Sequence, residues 1–174
     1  MGLTLFTTSM ADVDEGTFPS PSGFYSKGWG RYVPASLSLL VSFISMYSIQ
    51  KKPREEMIQL IKLDVLPFNT KRNPLFFDFD AKRPTFKTGD EREEWLENFK
   101  RELRIKEIYE RSGFKYPRTI EEGIDLLIAF GIVVEVDGRL DVVIDPFPDP
   151  CDVLQLDRDE LRVLERIRIG WEEK

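Results

Sequence analysis

The stretch from Thr119 to Val143, TIEEGIDLLIAFGIVVEVDGRLDVV, leaves little freedom in how the chain folds. Thr119 and Glu122 have the Thr-x-x-Glu spacing of a capping box, in which each side chain satisfies a backbone N–H at a helix start. Ile120, Ile124, Leu127 and Ile128 follow at intervals that line one helix face. Gly131 falls where a helix is left through a left-handed residue. IVVEV and RLDVV then flank Asp137-Gly138, a dipeptide suited to a two-residue type I′ hairpin turn. The expected order is helix, glycine, strand, tight turn, strand.

The segment before it is equally patterned. Asp90 to Glu110 carries Trp95, Phe99 and Leu103 at four-residue intervals, with acid in its first turn, which predicts an amphipathic helix. Gly113 stops it and Tyr116-Pro117 marks a turn. In the first half, Pro34 to Ser48 reads as a helix. Pro53 then suits the first turn of another, whose stripe is Met57, Leu60 and Ile61. Asn69 to Gly89 reads as an extended arm or short strand around LFFDFD. PFPDP after the second strand reads as a stiff connector to a last helix capped by Asp157 and Glu160, with Leu161, Leu164 and Ile167. Met1 to Gly30 reads as an arm whose Phe18, Phe24, Tyr25 and Trp29 need something to pack on.

Helix, turn, capped helix and two-stranded hairpin over residues 90–145 resemble the winged helix-turn-helix unit of bacterial regulators, in which the capped helix is the reading helix. GWGRYVP (Gly28 to Pro34), YPRTIEEG (Tyr116 to Gly123) and the proline-rich segment after the wing also resemble an uncharacterised bacterial family. That family couples a helical N-terminal half to a winged-helix-like C-terminal half and has no assigned activity. The resemblance implies an α+β, mostly α chain. An N-terminal helical hairpin packs on a winged-helix-like module with a two-stranded wing and a closing C-terminal helix. The divisions are 1–30, an extended arm; 31–88, the hairpin and a basic aromatic loop; and 89–174, the module, in one compact unit with 31–88.

The charge pattern tests the function this likeness implies. A helix that reads DNA carries Arg, Lys, Asn or Gln outward, beside bases that meet phosphate. Here the apolar stripe leaves Glu121, Glu122 and Asp125 outward with no compensating base. The wing adds Glu135, Asp137 and Asp141 against Arg139. Such a face repels the phosphate backbone and suits protein binding instead. The net charge of −6 divides unevenly: up to Thr88 there are 11 basic and 8 acidic residues, and beyond it 14 and 23. Lys71, Arg72, Lys82, Arg83 and Lys87 surround Phe76, Phe77 and Phe79. Bases interleaved with aromatics form a candidate surface for single-stranded nucleic acid, although loop phenylalanines are more often core. A further expectation is that this positive half docks the negative half of the same or another molecule.

Candidate chemistry is sparse. The chain has 174 residues, no histidine and one cysteine, Cys151. It therefore lacks imidazole relays, His-ligated zinc and an intramolecular disulfide. Asp145, Asp149 and Asp152 surround Cys151 and oppose its ionisation. Asp78-Phe79-Asp80 has a D-x-D form without supporting ligands, and Gly28-Trp29-Gly30 lacks a phosphate-loop spacing. The uncharged run Val33 to Ile49 is shorter than the ~20 residues of a membrane span and carries Ser38, Ser42 and Ser45 on one face, so a buried helix is expected. The reading is a cytoplasmic, non-catalytic interaction or regulatory module without metal or cofactor. It engages a protein partner or a second copy and no membrane; the alternative is a nucleic-acid-binding regulator using residues 71–87.

Overall fold

A helix that is apolar on almost every side has to be surrounded by other elements, and Ala35–Ser48 (α2) is such a helix. Leu37, Leu40, Val41, Phe43 and Ile44 are almost fully buried, and Ser42 and Ser45 on the small-residue face are buried with them. The computed structural model describes residues 22–143 and 146–156. Within them, Ser22–Ser26 forms a short helix (α1) and Trp29–Arg31 a 3-10 turn. Arg54–Val65 (α3) follows α2, then come Gly89–Arg111 (α4) and Ile120–Ala129 (α5). Val133–Val136 (β1), Arg139–Val142 (β2) and Pro150–Val153 (α6) complete the order. The described residues are thus mostly helical with one two-stranded antiparallel sheet.

The local signals act as their chemistry requires. Thr119 accepts the Glu122 N–H at 3.1 Å, and the Glu122 carboxylate accepts the Arg118 N–H at 3.0 Å. Gly131 leaves the helix at φ 82°, and Asp137 and Gly138 hold φ 53° and 73°, the signs of a type I′ turn. β1 and β2 pair in the register Val133↔Val142 to Val136↔Arg139. A second side-chain N-cap, not read from the sequence, starts α4: Thr88 accepts the Glu91 N–H at 3.2 Å.

α2 packs against α3, α5 and β2, so the two halves of the sequence share one core. Gly123 permits the closest approach: a Cβ there would lie 2.9 Å from Leu40 Cδ1. The N-terminal half of α4 buries Trp95 in a second, aromatic cluster with Phe77 and Tyr116. Its C-terminal half sends Ile105, Ile108 and Tyr109 into the main core.

Several expectations need correction. From Ser22 onward the arm is not extended: α1 and the 3-10 turn bring Phe24 and Trp29 into full burial. LFFDFD forms no strand, which leaves the arm of the two alternatives: Phe77 is buried in the aromatic cluster, and Phe76 packs against both that cluster and the main core. Pro53 is the cap of α3 and not its first turn. The PFPDP connector contains a helix start, with Asp149 accepting the Cys151 N–H at 2.8 Å and Pro150 in the first turn. Met1 to Pro21, with Phe18, and the last helix with Leu161, Leu164 and Ile167, lie outside the described residues.

Candidate functional site

The capped helix α5 presents two polar surfaces. Its stripe Glu122, Asp125, Ala129 is exposed, while Ile120, Gly123, Ile124 and Leu127 are buried. Beside that stripe runs a shallow groove of about 310 Å³, lined by Lys115, Pro117, Glu122, Asp125, Leu126 and Ala129. The floor is apolar; carboxylates stand on the α5 wall and one ammonium on the other.

Glu121 is turned away from the groove toward α3, and here the expectation of an uncompensated acidic face fails. Lys62 Nζ lies 2.6 Å from the Glu121 carboxylate, and this hydrogen bond holds that carboxyl below its ordinary range. Arg54 bridges two acids: its guanidinium donates to Glu135 of β1 and lies 3.4 Å from Asp125. The Arg54 backbone N–H also donates to Gly138 O at 2.8 Å, which ties the start of α3 to the hairpin turn. The compensating bases are distant in sequence, so a count along α5 alone does not see them. Positive first half and negative second half do dock within one molecule, at this seam.

The basic loop is only partly engaged. Arg72 lies 3.6 Å from Glu94, and Lys71 donates to Thr85 O while sitting 5.1 Å over the Phe86 ring. Lys82, Arg83 and Lys87 are exposed, without an ion pair among the described residues. The loop's phenylalanines turn inward. Phe77 is buried, and Phe79 meets the Tyr116 ring edge-on at 4.9 Å.

The polar centre that sequence reading missed is Glu102. It is 3% exposed and accepts from Tyr116 Oη at 2.6 Å, from Arg101 Nη1 at 2.6 Å and from the Ala35 N–H at 3.4 Å. Pro34 precedes α2 and cannot cap it with a side chain, so a carboxylate from α4 reaches the positive end of that helix instead. Arg101 also donates to Gly30 O and Val33 O at 2.7 and 3.1 Å, and Tyr109 Oη donates to Tyr32 O at 2.6 Å. Burial pushes the Glu102 carboxyl up, against the opposing pull of Arg101, Tyr116 and the Ala35 N–H. The available signal was its place in the heptad: Trp95, Glu102, Ile105 and Tyr109 lie on one face, and Glu102 is the charge within it.

This network joins segments that gave the family resemblance. GWGRYVP meets α4 through Arg101 and Tyr109, and Tyr116 of YPRTIEEG meets the Glu102 carboxylate. Trp29 Nε1 donates to Pro148 O at 2.7 Å in the proline-rich segment.

The remaining candidates bring little together. Asp78 Oδ1 accepts the Asp80 N–H at 3.1 Å in a local turn, and no three His, Cys, Asp or Glu side chains among the described residues converge as metal ligands. Burial first, then Asp149 and Asp152, push the Cys151 thiol up; Asp145 lies outside the described residues. No described helix is long and apolar enough to cross a membrane. Comparison with known proteins finds that residues 19–174 match the family of unknown function DUF6042. No curated protein and no solved structure matches the chain. The chain belongs to the DUF6042 family, to which no activity is assigned.

Proposed function

We propose that this chain is a non-catalytic protein-interaction module with a winged-helix-like scaffold, docking through the exposed stripe and groove of α5. The observation that carries this reading is the division of labour along α5. Glu121 is neutralised by α3, whereas Glu122 and the outer side of Asp125 border a concave, apolar-floored groove open to solvent. A groove with an apolar floor and a few charged rims suits a segment of another polypeptide. The same geometry disfavours DNA reading through this helix, because acid lines the exposed side and α3 lies along another.

A photoreactive residue at Ala129 tests the assignment, with the same residue at the exposed Glu107 of α4 as control. Protein adducts are expected at position 129, reduced by Glu122→Lys with Asp125→Lys. Equal labelling at both positions would overturn the site. The nucleic-acid reading keeps one favourable observation, the exposed Lys82, Arg83 and Lys87, but its stacking rings are turned inward. Gel shifts with single- and double-stranded oligonucleotides at low salt test it directly.

A further inference from the structure

Segment 115–117 separates two surfaces of opposite charge. Tyr116 turns its ring against Phe79 and Phe77, which lie three and five residues before Lys82 in the loop that bears Lys82, Arg83 and Lys87. Its neighbours Lys115 and Pro117 line the groove with Glu122 and Asp125. Cationic loop and acidic groove therefore flank the same short stretch of chain. Residues 81–87 have no helical or strand structure, and most of their side chains are exposed, so they form a ready extended ligand. Elsewhere the molecule shows which chemistry satisfies this acidic half: Lys62 of the basic half pairs with Glu121 on the other side of α5, and Arg54 reaches Asp125 from the α3 side at 3.4 Å.

We propose that the occupant of the groove is the basic loop of a second copy, in a two-fold dimer whose axis passes near residues 115–117. This rests on the reading of the α5 groove as a protein-binding face, and it names the partner. A closed two-fold arrangement makes the contact twice, each loop entering the other copy's groove, and avoids an open chain of head-to-tail contacts. Lys82 and Arg83 meet Glu122 and Asp125, and Pro84 beside them reaches the apolar floor. Lys115 on the far wall limits each groove to a partial charge match. The contact is small and charge-rich, so the dimer is weak, fast to form and sensitive to salt.

Sedimentation of the full chain over a wide concentration range, at about 50 mM and about 500 mM NaCl, tests this, since the higher salt shortens the screening length to a few ångströms. A monomer–dimer equilibrium is expected at low salt, weakened at least tenfold at high salt. Two charge-reversed variants then isolate the contact: Glu122→Lys/Asp125→Lys and Lys82→Glu/Arg83→Glu. Each alone should be monomeric, and an equimolar mixture should recover the dimer, because reversal on both sides restores both contacts. Glu122→Gln/Asp125→Asn, a gentler change, should weaken the dimer without abolishing folding. A wild-type chain that stays monomeric at millimolar concentration overturns the proposal, as does a dimer indifferent to the reversals or a mixture that fails to recover. A low-salt shift of single-stranded DNA lost in Lys82→Glu/Arg83→Glu also overturns it and gives the loop to nucleic acid. A monomer whose position 129 still captures other proteins refutes the second copy alone; a position 129 that captures nothing refutes the groove itself.

Discussion

Glu102 shows how one side chain can hold three segments that are remote in sequence. A carboxylate 3% exposed needs its hydrogen-bond sites filled, and here Tyr116, Arg101 and the first N–H of α2 fill them. Removing it leaves Arg101 beside a vacated buried position, so Glu102→Ala is expected to cost about 3 kcal/mol. The pH dependence has a definite sign. Burial raises this carboxyl in the folded chain, so it contributes stability that is present below its unfolded value and lost as pH rises through the folded one. The urea midpoint of the wild type minus that of Glu102→Gln should therefore grow as the pH falls from 7 toward 4.5. A difference that shrinks instead would mean that Arg101 and the α2 terminus outweigh burial.

At the scale of elements, what was legible is what short-range pattern determines. The capping box at Thr119, the exit at Gly131 and the Asp137-Gly138 turn each depend on residues within a few positions, and all three form as read. The network at Glu102 and the α3–α5 pairs depend on residues tens of positions apart, which no local window contains. Phe76 and Phe77 illustrate the limit: alternation was visible, but Phe77 enters the aromatic cluster while Phe76 packs against both that cluster and the main core, so the neighbouring rings do not sit on opposite faces of a sheet. Gly123 carries a long-range constraint in a locally unremarkable place. Its missing side chain lets α5 approach Leu37 and Leu40 of α2, with only 2.9 Å available to a Cβ. Gly123→Ala gains helix propensity of about 1 kcal/mol against a methyl clash that Leu40 can partly relieve. Gly123→Leu has no such relief and is expected to lose about 2 kcal/mol by overpacking. Chemical unfolding of the two variants checks this; equal midpoints would show that α2 and α5 separate easily.

For the whole molecule, net charge matters less than where opposite charges meet. The basic first half and acidic second half join along a seam in which Lys62 faces Glu121, Arg54 bridges Asp125 and Glu135, and Arg72 faces Glu94. These groups are partly exposed, so each pair is worth no more than about 1 kcal/mol in dilute salt, and less as screening increases. What they contribute is register: they select which side of α5 and of the β1–β2 hairpin α3 lies against, while the buried side chains of α2 supply the driving force. Arg54 is the informative residue, because its guanidinium spans α5 and the hairpin while its backbone N–H holds Gly138 independently. Arg54→Met keeps the backbone bond and most of the side-chain stem but deletes both ion pairs. The expected loss is about 1 kcal/mol at about 50 mM NaCl, falling toward zero at about 500 mM, since screening weakens these partly exposed pairs. Unfolding midpoints of wild type and variant at the two salt concentrations measure it. A loss that is the same at both would assign the role of Arg54 to packing of its stem, and the seam would then be steric rather than electrostatic.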